Sequence, residues 1–413
     1  MQQRDIPATS NSFKRFLIAA FATAVVTGGL SWLFLLVLEL VSYQREGKKF
    51  YYLLAPVAGL VSGLLYRKAP AAAALGNRLL ARLVREPHAR SLAKVPSGLA
   101  LLIMSTTWLA HWVGASVGRE GTAAQMGGGV AAAIGRRFGI HSPVTERHLL
   151  QVGLACGFGA VFGTPIAGAL FALEIGQGLK RERWRERLLE FVFLAVFAFL
   201  AHEVTLFLGA KHAIYPAFDW ATLLSLAGIG AMAASIVVFA LLAEVFLYTV
   251  EGFRKLWAKL VKQDYLRPAI GGVLLMTFFF LPTAFHKYAG LGVAGIELSF
   301  LEPAKWFDPI AKLALTIYSL GVGFRGGEVT PLFFVGATAG SWVASLFGLV
   351  PSAFASLGLV SVFAAATALP LTCAVMASEL FGITALGPAL LSCYVGSWAA
   401  SAFTRRPRLY DEI

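Results

Sequence analysis

Charged residues are scarce in this sequence. They make up 14% of its 413 residues, while hydrophobic residues make up 58%. Soluble domains average about a quarter charged residues. Cysteine is scarcer still, and the three cysteines lie inside apolar segments, which argues against the disulfide framework of a small secreted protein. The composition predicts a protein whose surface faces lipid.

Several catalytic and ligand-binding patterns are also missing. The sequence has no P-loop of the form Gly-x4-Gly-Lys-Ser/Thr, and its histidines and cysteines show no zinc-ligand spacing. We therefore expect no metal, no cofactor and no use of ATP. An intramembrane enzyme needs a nucleophile–base pair or a metal cluster in its apolar core, and the sequence suggests neither. An enzyme or an accessory membrane subunit is thus the least favoured alternative.

Long uncharged segments predict membrane-spanning helices. A spanning helix needs roughly 20 apolar residues, and residues 329–378 contain no Asp, Glu, Lys or Arg. Every backbone group in lipid needs an internal partner, and these segments are too long for barrel strands. We therefore predict an all-α polytopic membrane protein. The other uncharged segments are 16–38, 95–118, 149–173, 220–243 and 380–404.

The net charge of +13 comes from basic clusters in the polar breaks between the apolar segments. This distribution follows the positive-inside rule and predicts that the clusters and both termini are cytoplasmic. Attraction to anionic lipid headgroups explains it without a nucleic acid. The clusters lie within residues 78–94, 180–187, 255–267 and 405–408.

Two pairs of segments match across the halves of the chain. Residues 153–174 and 358–379 each place a proline 12 residues after a glycine and a glutamate 9 residues after the proline. A Gly-x-Glu-x-Thr motif precedes each of them, at residues 118–122 and 326–330. Interrupted apolar segments at corresponding positions indicate the midplane site of a transporter. We predict two membrane repeats, residues 1–215 and 216–413, folded as one domain.

Some apolar segments are too short or too rich in glycine to span a membrane. Residues 121–135 hold five glycines and residues 52–66 are similarly short, which fits half-helices that end inside the membrane. The N-terminus of such a helix carries unpaired N–H groups and a positive partial charge, so it binds anions without a fixed cation.

The motif GREG at residues 118–121 resembles the second anion-binding motif, Gly-Lys/Arg-Glu-Gly-Pro, of the CLC family of chloride channels and anion/proton antiporters. The resemblance extends through FGTPIAGALFALE (162–174), GGEVTP (326–331) and ALPLTCAVMASE (368–379). It implies a CLC-type inverted repeat of tilted and broken helices without a cytoplasmic regulatory domain. It also implies a homodimer with one pathway per subunit, in which the helices 162–174 and 368–379 lie at or near the subunit contact.

Four departures from the chloride-type pattern resemble the fluoride-exporting branch, which exchanges F⁻ for H⁺. The Gly-Ser-Gly-Ile-Pro motif is missing, and its nearest candidate is LGNRLL (75–80). Thr122 replaces the proline after GREG, and the usual Gly-Gly-Ile/Lys-Phe-x-Pro reads GGEVTP at 326–331. In chloride antiporters of the family, the internal proton-transfer acid is the second residue of a Glu-Glu pair. Here that pair reads Glu174-Ile175, so the second acid is replaced by isoleucine. Asn77 at the serine position resembles the asparagine-bearing subgroup.

Glu120 is the residue on which the expected mechanism depends. A charge inside the membrane costs at least ~2.5 kcal/mol, so an ionisable residue there is functional by default. The alternatives are a pair with Arg119 or a position at a loop edge in water. In the family this position is the gating glutamate, which occupies an anion site when ionised and swings out when protonated. Because Ile175 replaces the inner acid, Glu120 is expected to carry the proton as well.

Further site residues follow from the resemblance, each with a structural alternative. Thr330 donates to the anion or caps its helix, Tyr394 binds the anion or anchors at the interface, and Asn77 is a donor or a turn residue. Glu328 either handles protons or ions, or is a structural acid bonded to nearby N–H groups or Arg325. The expected anion-binding residues are Asn77, Gly118, Arg119, Gly121, Val329, Thr330 and Tyr394.

The expected protein is a fluoride/proton antiporter in the plasma (inner) membrane of a prokaryote, with fluoride, protons, the bilayer and a second copy of the chain as its partners. The alternative on the same fold is a chloride/proton antiporter or a passive anion channel. His111 alone among the histidines lies within an apolar segment. We interpret it as a packed residue bonded to a neighbouring helix, with a proton relay as the alternative.

Overall fold

The computed structural model describes residues 10–69, 72, 76–86, 91–177, 184–280, 283–403 and 408–410. These residues are mainly α-helical, with one isolated antiparallel bridge between Gly118 and Gly327. The helices before residue 208 are α1 (Ser10–Arg45), α2 (Ala55–Tyr66), α3 (Asn77–Arg85), α4 (Ser91–Lys94), α5 (Leu99–Trp112), α6 (Glu120–Arg137), α7 (Pro143–Phe162), α8 (Pro165–Gln177) and α9 (Trp184–Phe207). The helices after residue 225 are α10 (Leu226–Leu260), α11 (Arg267–Phe280), α12 (Val293–Leu301), α13 (Asp308–Val322), α14 (Val329–Leu346), α15 (Ser352–Thr367), α16 (Pro370–Phe381) and α17 (Leu386–Phe403). Short 3-10 helices lie at Lys49–Leu54, Ala221–Leu224, Asp264–Leu266, Thr283–Tyr288 and Ile383–Ala385.

Seven helical segments in the described residues are long and apolar enough to cross a bilayer. This confirms the prediction of an all-α polytopic membrane protein. The predicted cytoplasmic cluster at 180–187 lies partly outside the described residues, since residues 178–183 are not among them. The seven segments are Asn11–Arg45, Lys49–Tyr66, Ser91–Trp112, Trp184–Phe207, Leu226–Leu260, Val329–Leu346 and Ile383–Phe403.

Helix α14 differs from the other candidate spans because protein surrounds it. Its apolar window is 83% buried, whereas those of the other six spans are 28–39% buried. Helices α6, α7 and α15 are buried along most of their length in the same way. These four helices form the core of the fold, and the outer helices expose their apolar side chains.

Glycine pairs set the closest helix contacts in this core. A Cβ atom on Gly127 of α6 would lie 1.9 Å from the carbonyl oxygen of Gly153 on α7, and one on Gly336 of α14 would lie 1.9 Å from that of Gly358 on α15. Small residues allow such close approach of membrane helices. The order α6–α7–α8 thus recurs as α14–α15–α16, and the predicted boundary between residues 215 and 216 falls in the connection between α9 and α10.

Helices α8 and α16 are joined by two reciprocal carboxylate caps. Glu174, near the end of α8, accepts hydrogen bonds from the backbone N–H (2.8 Å) and the hydroxyl (2.5 Å) of Thr372 at the start of α16. Glu379, near the end of α16, accepts from the backbone N–H groups of Ile166 (2.9 Å) and Ala167 (2.8 Å) at the start of α8. Carboxylates satisfy the unpaired N–H groups and the positive partial charge of a helix start. Both glutamates therefore bind helices within one chain, and the expected subunit contact of these helices remains a prediction.

We predict that Gly336→Ala destabilises the protein, because the new methyl group would overlap the carbonyl of Gly358. Overpacking of this kind costs about 1–3 kcal/mol. Gly396→Ala on α17 is the matched control, since nothing lies within 4 Å of its Cβ position. Thermal unfolding of the detergent-solubilised variants measures the difference, and equal melting temperatures for the two variants would contradict the role of this contact.

Candidate functional site

A backbone bridge brings the starts of α6 and α14 together inside the core. The N–H of Gly118 donates to the carbonyl of Gly327, and the N–H of Gly327 donates back at 2.8 Å. Glu120 and Val329, each two residues after the bridge, begin the two helices. The approach is so close that a Cβ on Gly327 would lie 2.7 Å from the backbone nitrogen of Gly121. Two helix N-termini from different halves of the chain therefore meet at one point.

The Glu120 carboxylate lies at this meeting point and is fully buried. Its Oε2 accepts hydrogen bonds from the backbone N–H (3.1 Å) and the hydroxyl (2.5 Å) of Thr330 on α14. The backbone N–H of Arg119 donates to Oε2 at 3.3 Å, and its Nε–H donates to Oε1 at 3.1 Å. The carboxylate of one half thus occupies the positive helix terminus of the other half, where an anion binds favourably.

This geometry decides between several alternatives. A position of Glu120 at a loop edge in water is wrong, because the side chain has no exposed surface. The pair with Arg119 does exist, in addition to the bonds from α14. The Thr330 hydroxyl donates to a carboxylate rather than capping its own helix, and Glu328, the N-cap residue of α14, makes no side-chain cap bond. Thr122, in the proline position of the motif, bonds Thr107 of α5 at 2.9 Å and so ties α6 to that helix.

A cavity of about 440 Å³ is lined by Glu328, the residue before α14. Its wall also includes Gln125 of α6 and Arg325, whose guanidinium lies 4.2 Å from the centre of the Tyr66 ring. Five basic residues and three acidic residues line the cavity, which gives it a positive balance that attracts anions. They are Arg78, Arg254, Lys255, Arg267 and Arg325, and Glu251, Asp264 and Glu328.

The structure does not bring Tyr394 to this site. The buried side of α17 is formed by Pro388, Ala389, Ser392, Cys393, Gly396 and Ala400. Tyr394 falls on the opposite side of the helix and is 46% exposed. Its assignment to the anion is therefore wrong, since helical periodicity turns this side chain away from the core.

Tyr410, unlike Tyr394, lies buried near the Glu120 carboxylate. Its side chain is 3% exposed, and it lies within electrostatic range of Glu120 and Glu328. Within the described part of the chain its hydroxyl has no hydrogen-bond partner. The sequence contains one signal for this residue: Leu409 and Tyr410 form a short apolar pair directly after the basic cluster at 405–408.

The segment 408–410 is held inside the molecule by bonds to both halves. Arg78 and Arg85 of α3 donate to the carbonyls of Leu409 (2.9 Å) and Tyr410 (3.1 Å). The Leu409 N–H donates to the carbonyl of Ala366 at the end of α15 (3.0 Å). The buried Arg408 pairs with Glu244 of α10. These contacts explain how a residue beyond the last helix reaches the core.

Two of the remaining predicted residues lie at the same helix starts, and Asn77 lies at the start of α3. Gly121 and Val329 are buried in the first turns of α6 and α14. Asn77 is the first residue of α3, after Gly76 at a φ of 53°, and Gly76 lines the cavity. The Asn77 side chain lies outside the described part of the structure, so its role remains a prediction. Among the described residues, no group of three or more His, Cys, Asp or Glu residues could hold a metal ion.

Comparison with known proteins finds relatives along almost the whole chain. A family model described as voltage gated chloride channel matches residues 58–401. A protein of Pseudomonas syringae pathovar tomato named chloride/fluoride channel protein is 35% identical over 401 residues, covering 94% of this chain and 85% of the relative.

Two solved structures share the fold. The crystal structure of a CLC-type fluoride/proton antiporter superposes with a TM-score of 0.84 at 27% identity, covering 98% of each chain. The structure of a slow cyanobacterial Cl⁻/H⁺ antiporter superposes with a TM-score of 0.81 at 19% identity, covering 95% of this chain and 96% of the other.

We predict that Glu120→Ala increases the affinity for anions, with fluoride as the probe. The substitution leaves the N–H and hydroxyl of Thr330 without their acceptor, so an anion gains both donors at the start of α14. Charge-assisted hydrogen bonds are worth about 1.5–3 kcal/mol each, so we expect binding at least about tenfold tighter in calorimetric titrations. Glu39→Ala, at an exposed position on α1, is the control. Unchanged affinity in Glu120→Ala would show that the carboxylate and the anion do not compete.

Proposed function

The chain belongs to the voltage-gated chloride channel (CLC) family of membrane transporters and channels, and within it we propose that it is a secondary active antiporter that exports fluoride in exchange for protons. The observation that carries the proposal is the buried Glu120 carboxylate, hydrogen-bonded by Thr330 at the N-terminus of α14. A titratable group there links proton binding to anion binding. The relative named chloride/fluoride channel protein and the likeness to a CLC-type fluoride/proton antiporter support fluoride as the anion.

The coupling follows from competition for one set of donors. Ionised, the Glu120 carboxylate neutralises the start of α14 and excludes an anion. Protonated, it loses its charge-assisted bonds to Thr330 and leaves the helix terminus to fluoride. Ile175 occupies the position of the inner proton-transfer glutamate, so Glu120 has no second glutamate there to exchange its proton with. The same side chain therefore carries the proton and gives up its place to the anion.

Selectivity for fluoride requires donors strong enough to replace its tightly held water. The Thr330 hydroxyl and the Tyr410 hydroxyl, which lacks a partner among the described residues, are two such donors. We propose Tyr410 for the role first given to Tyr394, and the Asn77 amide as a third donor. The remaining contacts are backbone N–H groups near Gly118, Gly121 and Val329.

The cavity lined by Glu328 is the proposed inner route for the ions. Its positive lining concentrates anions, and Glu328 lines it and also lies within electrostatic range of Tyr410. We propose that Glu328 handles protons or ions at this inner end. The basic residues at its rim, such as Arg254 and Lys255, then face the cytoplasm, as the positive-inside rule predicts.

The proposed setting is the inner membrane of a bacterium, with both termini cytoplasmic and two copies of the chain forming a homodimer with one pathway each. Cross-linking of cysteine pairs in native membranes tests the dimer. A chloride/proton antiporter or a chloride channel is the second candidate function, because the names of the relatives also include chloride.

We predict that proteoliposomes loaded with fluoride take up protons as fluoride leaves. In Glu120→Gln, proton uptake falls to the level of protein-free liposomes, since an amide carries no titratable proton. Fluoride and chloride electrodes with a pH electrode measure the fluxes. Chloride moving as fast as fluoride would overturn the assignment of the anion, and fluoride flux without proton movement would indicate a channel.

We also predict that Thr330→Val slows fluoride transport while Thr330→Ser does not. Valine keeps the shape and the backbone N–H of residue 330 but removes the hydroxyl, whereas serine retains the hydroxyl. Losing one hydrogen bond to an anion costs about 1.5–3 kcal/mol, which corresponds to a loss of at least about tenfold. Equal losses in both variants, measured with the fluoride electrode, would exclude the hydroxyl as the cause.

A further inference from the structure

A second group of ionisable side chains lies near the Gly118 bridge and takes no part in the proposed coupling. It consists of Lys312 on α13, His111 on α5 and Arg45 at the end of α1. Lys312 and His111 have no exposed surface, and Arg45 is partly buried. Buried charges in a membrane protein are costly and point to a function.

Lys312 is a buried ammonium group with carbonyl partners only. Its Nζ donates to the carbonyls of Tyr288 (2.9 Å) and Gly290 (2.6 Å). An ammonium group has three donors, and the Lys312 Nζ also lies 5.4 Å from the centre of the Phe334 ring. Among the described residues, no carboxylate lies within 4.0 Å of it.

The acid one turn before Lys312 is already neutralised. Asp308 accepts from the Lys287 ammonium and from the Tyr288 hydroxyl, both at 2.5 Å from Oδ1. Its Oδ2 accepts from the backbone N–H of Lys305 at 3.1 Å. The positive charge of Lys312 is therefore not balanced by its own helix.

A second cation lies against the same backbone as Lys312. The Arg45 guanidinium donates to the carbonyl of His111. It lies so close to Gly290 that a Cβ on that residue would be 2.9 Å from both terminal nitrogens. Gly290 thus contacts both cations, and the guanidinium and the ammonium lie within electrostatic range of each other. As with Lys312, no carboxylate of the described residues lies within 4.0 Å of the guanidinium.

His111 adds a donor that has no acceptor. The ring is fully packed, as expected, but neither ring nitrogen has a hydrogen-bond partner of good geometry in the described part of the chain. The ring lies within electrostatic range of Arg45, Lys312 and Arg119, and approaches the backbone of Gly118 without hydrogen-bonding geometry. An imidazole offers at least one N–H in either protonation state. Leaving such a buried N–H without an acceptor is unfavourable.

We propose that Arg45, His111 and Lys312 form a second binding site, for a halide ion, separate from the one at Glu120. A small monovalent anion offsets part of the positive charge of Lys312 and Arg45 and accepts from the imidazole N–H. A water molecule satisfies the imidazole but adds no negative charge beside Lys312, whereas Arg45 also has Glu46 within electrostatic range. The complete burial of Lys312 and His111 favours a small ion over a larger anion.

Anion binding to the purified protein tests this site with fluoride and bromide as probes. We expect calorimetry to show that Lys312→Met and His111→Phe each weaken one binding event by at least about tenfold, the effect of a lost charge-assisted hydrogen bond. His111→Phe breaks no hydrogen bond of the ring and keeps the aromatic volume, so it remains informative if Lys312→Met fails to fold. Lys305→Met and His141→Phe, at exposed positions, are the matched controls and retain both binding events.

The two sites are distinguished by variants at the gate. Glu120→Ala and Thr330→Val alter the other binding event and leave the one at Lys312 in place. In bromide-soaked crystals, an anomalous peak beside Lys312 that is absent in His111→Phe supports the proposal. The proposal is overturned if Lys312→Met and His111→Phe bind both probes like the controls, or if all anion binding is lost when the site at Glu120 and Thr330 is altered.

Discussion

The fold is organised around one carboxylate bound at the end of a helix from the other half of the chain. Glu120 accepts two hydrogen bonds from Thr330 at the start of α14. This requires that two helix N-termini meet inside the protein, which the Gly118–Gly327 bridge achieves. It also requires that α14 be surrounded by protein, since lipid could not satisfy its open first turn. The glycine contacts of α14 with α15 and of α6 with α7 supply that enclosure.

The same interaction occurs elsewhere with a different consequence. Glu174 meets the N–H and hydroxyl of Thr372 almost as Glu120 meets those of Thr330, and Glu379 returns the contact at the start of α8. Those two acids sit near the ends of helices and hold α8 against α16. Glu120 begins a helix after a glycine-rich turn, and Tyr410 lies within its electrostatic range. At α8 and α16, the bond between a carboxylate and a helix start holds two helices together. At Glu120, we propose, the same kind of bond is exchanged for a bound anion.

Sequence patterns located most of the helices and the part of the site that is formed by two helix starts. The uncharged segments predicted the helical membrane fold, and the GREG and GGEVTP motifs marked the two helix starts that meet. The tyrosine was misplaced because position within an apolar segment does not state which side of a helix faces inward. Tyr394 faces outward, and Tyr410 enters from a segment held by Arg78, Arg85 and Ala366. The contacts of Arg78 and Arg85 join residues more than 300 positions apart, which leave no local pattern to find.

The sequence by itself determined the class of protein, its family and the identity of the acid, because hydrophobic length and short motifs are local properties. Only the tertiary structure decided what that acid touches. Thr330 is 210 residues away from Glu120, and the bond between them depends on how the two halves pack. The same holds for Lys312 and Arg45, whose shared contact with Gly290 brings two cations together from distant helices. Electrostatic energies depend on distance and burial, and the packing of the two halves sets both.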